Sequence, residues 1–212
     1  MSGPVHLRPH AGVAERALLP GDPGRALRLA QELTDVPKML NHHRGLWGYT
    51  GVAPDGAPLT IQSTGLGGPS TAIVVEELIG LGARRLVRVG TCRAELPLGS
   101  LVVPDAVRAQ DGVSRALGAP DVLEPDGELL AALRGGGHVG ELVSTDVLAP
   151  SDLPVDLSSG ALLAMAARHG ARAACVLIVA GSGGERIGSE ALERAELVAG
   201  RLAAGAVGAS AR

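Results

Sequence analysis

Short apolar runs alternate with stretches of helical period along the 212 residues. Ala17, Leu18 and Leu19 form a run short enough for a buried strand, stopped by Pro20-Gly21-Asp22-Pro23. Asp22 suits an N-cap and Pro23 a first helical residue, so a helix is predicted over 23–33. Segments 46–52 and 59–63 read as strands joined by a Pro54-Asp55-Gly56 turn. A helix is predicted over 70–81, where Ala72, Val75, Ile79 and Val74, Leu78, Leu81 give a broad apolar face; Gly82 closes it. Further strands are predicted at 85–89, 101–103, 138–143 and 173–179, and helices at 127–133, 157–168 and 189–204. The last helix is expected to carry Glu193, Arg194 and Glu196 on its wet side. This alternation predicts an α/β fold, a three-layer α/β/α arrangement around a central mixed sheet. The glycine clusters at 135–137 and 181–184 read as loops rather than linkers, so residues 1–212 read as one domain.

Composition narrows the function classes. Apolar residues make up 46%, charged residues 19%, and the net charge is -3, which excludes a disordered chain and a strongly basic nucleic-acid binder. Cys92 and Cys175 stand far apart without metal-ligand spacing, so neither a disulfide scaffold nor a metal site is expected. The first ten residues lack the apolar core of a signal peptide, and Arg168, His169 and Arg172 interrupt the most apolar long stretch. No membrane association is expected, and the location is read as cytoplasmic. Aromatic rings are scarce: Trp47, Tyr49 and no phenylalanine.

Three glycine-containing turns follow predicted strands, where open α/β sheets bind ligands. They are Pro20-Gly21-Asp22-Pro23-Gly24-Arg25, then Ser63-Thr64-Gly65-Leu66-Gly67-Gly68-Pro69-Ser70, then Arg88-Val89-Gly90-Thr91. Backbone N–H groups at a helix start favour an anion, and Arg25 lies one turn in. Each turn alone also fits an ordinary connection. The Gly65-x-Gly67 spacing lacks the dinucleotide pattern and there is no Walker lysine, which argues against a dinucleotide-dependent enzyme. Arg88 sits in the apolar run Leu86-Val87-Arg88-Val89, where an unpaired guanidinium is very costly. It requires either a carboxylate, with Glu76 and Glu77 the candidates, or a bound anion.

Several motifs in one order resemble the nucleoside phosphorylase family, in the branch of hexameric purine nucleoside phosphorylases and uridine phosphorylases. They are the Leu19–Ala26 turn, His43-Arg44-Gly45-Leu46-Trp47-Gly48-Tyr49-Thr50-Gly51, the Ser63–Ser70 turn, Val75-Glu76-Glu77-Leu78 and Arg88-Val89-Gly90-Thr91-Cys92. The resemblance is dense from residue 6 to about 112 and weaker from 139 to 179. It implies cleavage of a nucleoside by inorganic phosphate to a free base and ribose 1-phosphate, with phosphate as co-substrate and no cofactor or metal. It implies a phosphate site of Gly21, Arg25, Arg88 and Thr91, with Arg88 and Thr91 catalytic and Arg44 supplied by a neighbouring subunit. His6 resembles the histidine that crosses the same interface to the sugar; by itself it reads as a solvated N-terminal residue. A homo-oligomer follows, a dimer-based hexamer, with contact surface expected around Trp47 and Tyr49.

The second half departs from that pattern. Asp156-Leu157-Ser158 occupies the place of the family's Glu-Met-Glu ribose segment, so Leu157 and Ser158 are the sugar-side candidates and Ser158 stands where a glutamate holds the hydroxyls. Asp156 reads better as the cap of the following helix. Ala180-Gly181-Ser182-Gly183-Gly184 lacks the purine enzymes' aspartate general acid, and Arg186 is a distant counterpart of the uridine enzymes' arginine, or a solvated loop residue. Leu148 stands near the usual stacking phenylalanine, and the segment after it is shortened. Arg93 replaces a small residue. The expectation is a nucleoside phosphorylase-like pentosyltransferase with an eroded base and sugar site; the alternative is a non-catalytic phosphate or sugar-phosphate binding protein of the same fold.

Overall fold

The computed structural model describes residues 3–208. Its strands are β1 (Arg16–Pro20), β2 (Asp35–Asn41), β3 (Gly48–Val52), β4 (Pro58–Gln62), β5 (Arg85–Arg93), β6 (Leu101–Ala109), β7 (Val122–Leu123), β8 (His138–Ser144), β9 (Val155–Asp156), β10 (Arg172–Ser182) and β11 (Glu185–Arg186). Its α-helices are α1 (Pro23–Leu33), α2 (Gly67–Gly80), α3 (Gly112–Ala116), α4 (Gly127–Leu133), α5 (Ser159–His169) and α6 (Ser189–Gly208). Strand β1 lies between β4 and β5, parallel to both, and β10 lies parallel to β5 on its other side. One half of the sheet closes on itself, because β10 also pairs with β6, β6 with β8, β8 with β9, and β9 with β5 through Val155 and Arg93. The other half is an open wing, β1-β4-β3-β2.

The central strands are buried on both faces, as parallel strands covered by helices must be. Alternate residues of β10 enter different cores: Ala173, Cys175, Leu177 and Val179 on one side, Ala174, Val176 and Ile178 on the other. The first core takes α2 and α5; the second takes α1, α4 and α6. The predicted mixed α/β fold with helices on both faces is the fold observed.

Helix α1 begins where predicted. The Asp22 carboxylate accepts the Arg25 N–H at 2.7 Å, and Pro23 occupies the first turn. Helix α6 crosses close to it, since a Cβ on Gly200 would lie 2.3 Å from Leu29 Cδ2. That approach brings the start of α6 to the start of α1. Strand β2 has no counterpart in the sequence reading. Pro37 and a run without alternation hide it, and its register against β3 is broken twice, once between Asp35 and Lys38, where Val36 takes a φ of 45°, and again between Met39 and Asn41. The first strand after it begins at Gly48 rather than residue 46, because His43–Gly45 forms a single 3-10 turn.

The wing is tied back by Arg16, whose two terminal nitrogens each lie 2.5 Å from a carboxylate oxygen of Asp55. This pairing holds the Asp55 carboxyl down at about 2, and the Ala57 N–H adds to it. A depressed acid contributes stability that is present above its unfolded value, near 4, and lost as pH falls through about 2. The melting temperature should fall between those limits, and less steeply in Asp55→Asn. Equal slopes in pH-dependent thermal melts would remove Asp55 from the acid response.

Candidate active site

Parallel pairing brings the C-terminal ends of β1, β4 and β5 to one edge. The Thr64 N–H donates to Pro20 O at 2.8 Å, the Ser63 hydroxyl donates to Gly21 O at 3.2 Å, and a Cβ on Gly21 would stand 3.1 Å from Gly65 O. The three glycine turns picked from sequence therefore meet. They form one end of an open cavity of about 900 Å³ whose wall includes Gly21, Arg25, Arg88 and Thr91, with Leu157 and Ser158 further along.

Arg88 is buried. Its Nε donates to Asp156 Oδ2 at 3.1 Å, while Nη1 is buried and has no partner among the described residues. Gly90 makes room for this fold-back, since a Cβ there would lie 2.8 Å from the guanidinium. Nη1 sits beside the first turn, 3.9 Å from where a Gly21 Cβ would be. Of the two answers open to Arg88, a carboxylate or a bound anion, the structure supplies a carboxylate, but it is Asp156 rather than the candidates Glu76 and Glu77. The Asp156 carboxylate also accepts the Ser159 N–H and hydroxyl at the start of α5, alongside the ion pair, although the N-cap position itself is Ser158 rather than Asp156. Glu76 pairs with His169 at 2.6 Å. Glu77 accepts the backbone N–H groups of Val5, His6 and Leu7 and lies 2.8 Å from His6 Nδ1. Burial raises this carboxyl, but those hydrogen bonds outweigh it and hold it below the usual range.

Arg25 is also paired. Its Nε donates to Glu196 Oε1 at 2.8 Å and its Nη1 to Val89 O at 3.1 Å. Arg28 grips the other oxygen of Glu196 at 2.6 Å. Glu196 is only 1% exposed, so its placement on the wet side of the last helix is corrected. Arg25 and Arg88 are thus each matched by a buried acid, and the expectation of uncompensated cations is revised, among the described residues, to one fully buried donor without a partner, Arg88 Nη1.

Arg44 and His6 do not line this cavity. Arg44 is exposed on the 3-10 turn with a φ of 59°. Cys92 does line it, but burial and the nearby Asp156 push its thiol up to about 12 against the pull of Arg88, so it is no nucleophile at neutral pH. Neither Trp47 nor Tyr49 is in the wall. Tyr49 is 6% exposed and belongs to the core, which corrects its assignment to a contact surface; Trp47 remains 37% exposed. The far wall consists of Leu148, Ala149 and Pro150 together with Arg93, Glu95, Glu185 and Arg186. Glu95 and Glu185 were missed. The only signal was a Gly-Gly turn, which closes a β10–β11 hairpin and carries Glu185 to the rim. Among the described residues no group of three His, Cys, Asp or Glu side chains is placed to hold a metal, and no helix is long and apolar enough to cross a membrane.

A mixed sheet whose strand ends gather helix N-termini, a buried arginine donor and a hydroxyl makes an α/β cavity with chemistry suited to an anion. Residues 15–150 match the phosphorylase superfamily, and the chain belongs to it. It is 33% identical to the guanosine phosphorylase of Halorubrum lacusprofundi, across 86% of this chain and 85% of that one. It is 32% identical to a DeoD-type purine nucleoside phosphorylase of Oceanobacillus iheyensis, across 82% and 86%. It is 37% identical to the uridine phosphorylase of Haemophilus influenzae, across 76% and 68%.

Proposed function

We propose that this protein is a pentosyltransferase that cleaves a nucleoside with inorganic phosphate, giving a free base and a pentose 1-phosphate. The observation that carries the reading is Arg88 Nη1, a buried donor without a partner among the described residues, beside the Gly21 turn in the cavity of a phosphorylase-superfamily chain. Phosphate supplies the acceptor that this donor lacks. Arg25, Thr91 and the Gly21 N–H complete the cradle, and the paired carboxylates Glu196 and Asp156 keep both guanidiniums in place. A phosphate oxygen forms the bond to the anomeric carbon as the carbon–nitrogen bond breaks, and the base leaves with that electron pair and takes up a proton. The fixed anion faces the positive charge that develops on the sugar. Leu157 and Ser158 line the sugar side. His6, held by Glu77, and Arg44 would serve the site of a second copy, in a dimer-based homo-oligomer.

One observation favours the alternative of a phosphate or sugar-phosphate binder without turnover: both arginines at the anion end are already neutralised by buried acids. A single panel separates the two. Base release from uridine, inosine, guanosine and adenosine is measured with and without phosphate. Phosphate-dependent release supports the enzyme. Silence across the panel, with phosphate still raising the melting temperature, supports the binder.

A further inference from the structure

Asp111 follows β6, is fully buried and lies outside the cavity wall. Its carboxylate caps α3: Oδ1 accepts the Ser114 N–H at 2.9 Å and Oδ2 accepts the Ser114 hydroxyl at 2.7 Å. Among the described residues it has no ion-pair partner. A carboxylate placed so deep is costly without compensation. Two glycines bring the compensation close. A Cβ on Gly68, in the first turn of α2, would stand 3.4 Å from Oδ1, and a Cβ on Gly160, in the first turn of α5, would collide with Oδ2. The starts of α2, α3 and α5 therefore converge on one carboxylate. A helix start carries partial positive charge on its unpaired N–H groups, and an acid beside it is stabilising. Both longer helices lead away from the cavity: Gly67 opens α2, Ser158 takes the N-cap position of α5, and both residues line the wall. Just inside α5, the Ser159 N–H and hydroxyl hold Asp156, which accepts Arg88 Nε at 3.1 Å. A hydrogen-bonded chain thus runs from the Arg88 guanidinium to the neighbour of Gly160.

We propose that Asp111 is a positioning residue for the anion end of the cavity. It touches no substrate. Its carboxylate draws the starts of α2 and α5 together from behind, which sets where Ser159 holds Asp156 and hence where Arg88 Nη1 points. The Gly65–Gly67 turn is set through the other helix. Charge and position make opposite demands at this place. Removing a negative charge from behind the cavity, with nothing else moved, would make the cavity a better anion trap. Removing the pin lets the donors drift, and phosphate is then held less well.

This inference rests on the cavity being a phosphate site, and binding is therefore measured together with a readout that needs no ligand. Inorganic phosphate is titrated by calorimetry, well below the melting temperature, into wild type, Asp111→Asn and Asp126→Asn. Asparagine at 111 keeps an acceptor for the Ser114 N–H but no charge. Asp126 caps α4 through the Glu128 and Leu129 N–H groups, away from the cavity wall, and is the control for a lost cap. The phosphate Kd should rise by at least about tenfold in Asp111→Asn, as when one hydrogen bond to a charged group is lost, and should keep its wild-type value in Asp126→Asn. Amide hydrogen exchange should quicken at the starts of both α2 and α5 in Asp111→Asn alone. Gly160→Ala, which crowds Oδ2 and leaves the charge in place, should weaken phosphate in the same direction, and it decides the matter if Asp111→Asn does not fold. An unchanged or tighter Kd in Asp111→Asn overturns the assignment, and so does exchange that quickens only in α3. If wild type itself binds no phosphate, the reading of the cavity fails, and the exchange alone decides whether Asp111 pins the two helices.

Discussion

Millimolar phosphate should raise the melting temperature of the wild-type protein, and Arg88→Ala should abolish the rise. A ligand that binds only the folded state stabilises it by about 2.7 kcal/mol at a hundredfold excess over Kd. For a chain of this length that is on the order of 5–10 °C. The unpartnered Nη1 is the donor that an anion would engage, and its removal also leaves the buried Asp156 carboxylate with only the Ser159 N–H and hydroxyl. Phosphorolysis should fall by about 10²–10³-fold, the usual effect of losing one donor aimed at reacting charge. Arg88→Lys keeps a cation against Asp156 and so separates the fold from the anion site: it should restore most of the intrinsic melting temperature without restoring the full phosphate response. Ser158→Ala, at the position proposed for the sugar, should leave the response nearly unchanged. An undiminished rise in Arg88→Ala, read by differential scanning calorimetry, would place the anion elsewhere.

What was legible in the sequence was local. The Asp22-Pro23 start of α1, the glycine turns at strand ends and the apolar run of β10 follow from rules that act within a few residues, and each reappears in the structure. The meeting of the three turns was also legible, since parallel strands put their C-terminal ends on one edge. The pairings that set the chemistry were not. Arg88 and Asp156 are 68 residues apart, and Arg25 and Glu196 are 171 apart. Nothing in the periodicity around Glu196 marks it as buried, because Glu193 and Arg194 beside it are wet and Ala195, Ala199 and Ala203 are small enough to hide the width of the apolar stripe. Glu76 and Glu77 were nearer in sequence to Arg88 and lost to Asp156, because α2 turns them toward the N-terminal segment and His169. Strand β2 was invisible for the opposite reason: its pairing with β3 overrides a proline and a residue of positive φ.

The Glu196 cluster gives the largest expected loss of stability. Glu196→Ala removes one buried acid and leaves Arg25, itself buried, with only the Val89 carbonyl, while Arg28 loses its close partner and keeps a 3.8 Å contact to Glu193. Breaking a buried pair from one side destabilises by about 3–5 kcal/mol, because the surviving charge has no compensation. At roughly 2–4 °C per kcal/mol for a domain of this size, the melting temperature should drop by on the order of 6–20 °C. Anion binding should move the other way. With its acid gone, Arg25 presents a full positive charge to the cavity, so phosphate should stabilise Glu196→Ala by more degrees than wild type and recover part of the loss. Glu196→Gln, which retains an oxygen acceptor but no charge, should lie between the two in both respects. If Glu196→Ala melts within about 2 °C of wild type in the absence of phosphate, a drop far smaller than one-sided loss of a buried pair predicts, Arg25 does not depend on Glu196. The helix pair α1–α6 would then be held by its packing around Gly200 and Leu29 rather than by the charges beneath the anion site.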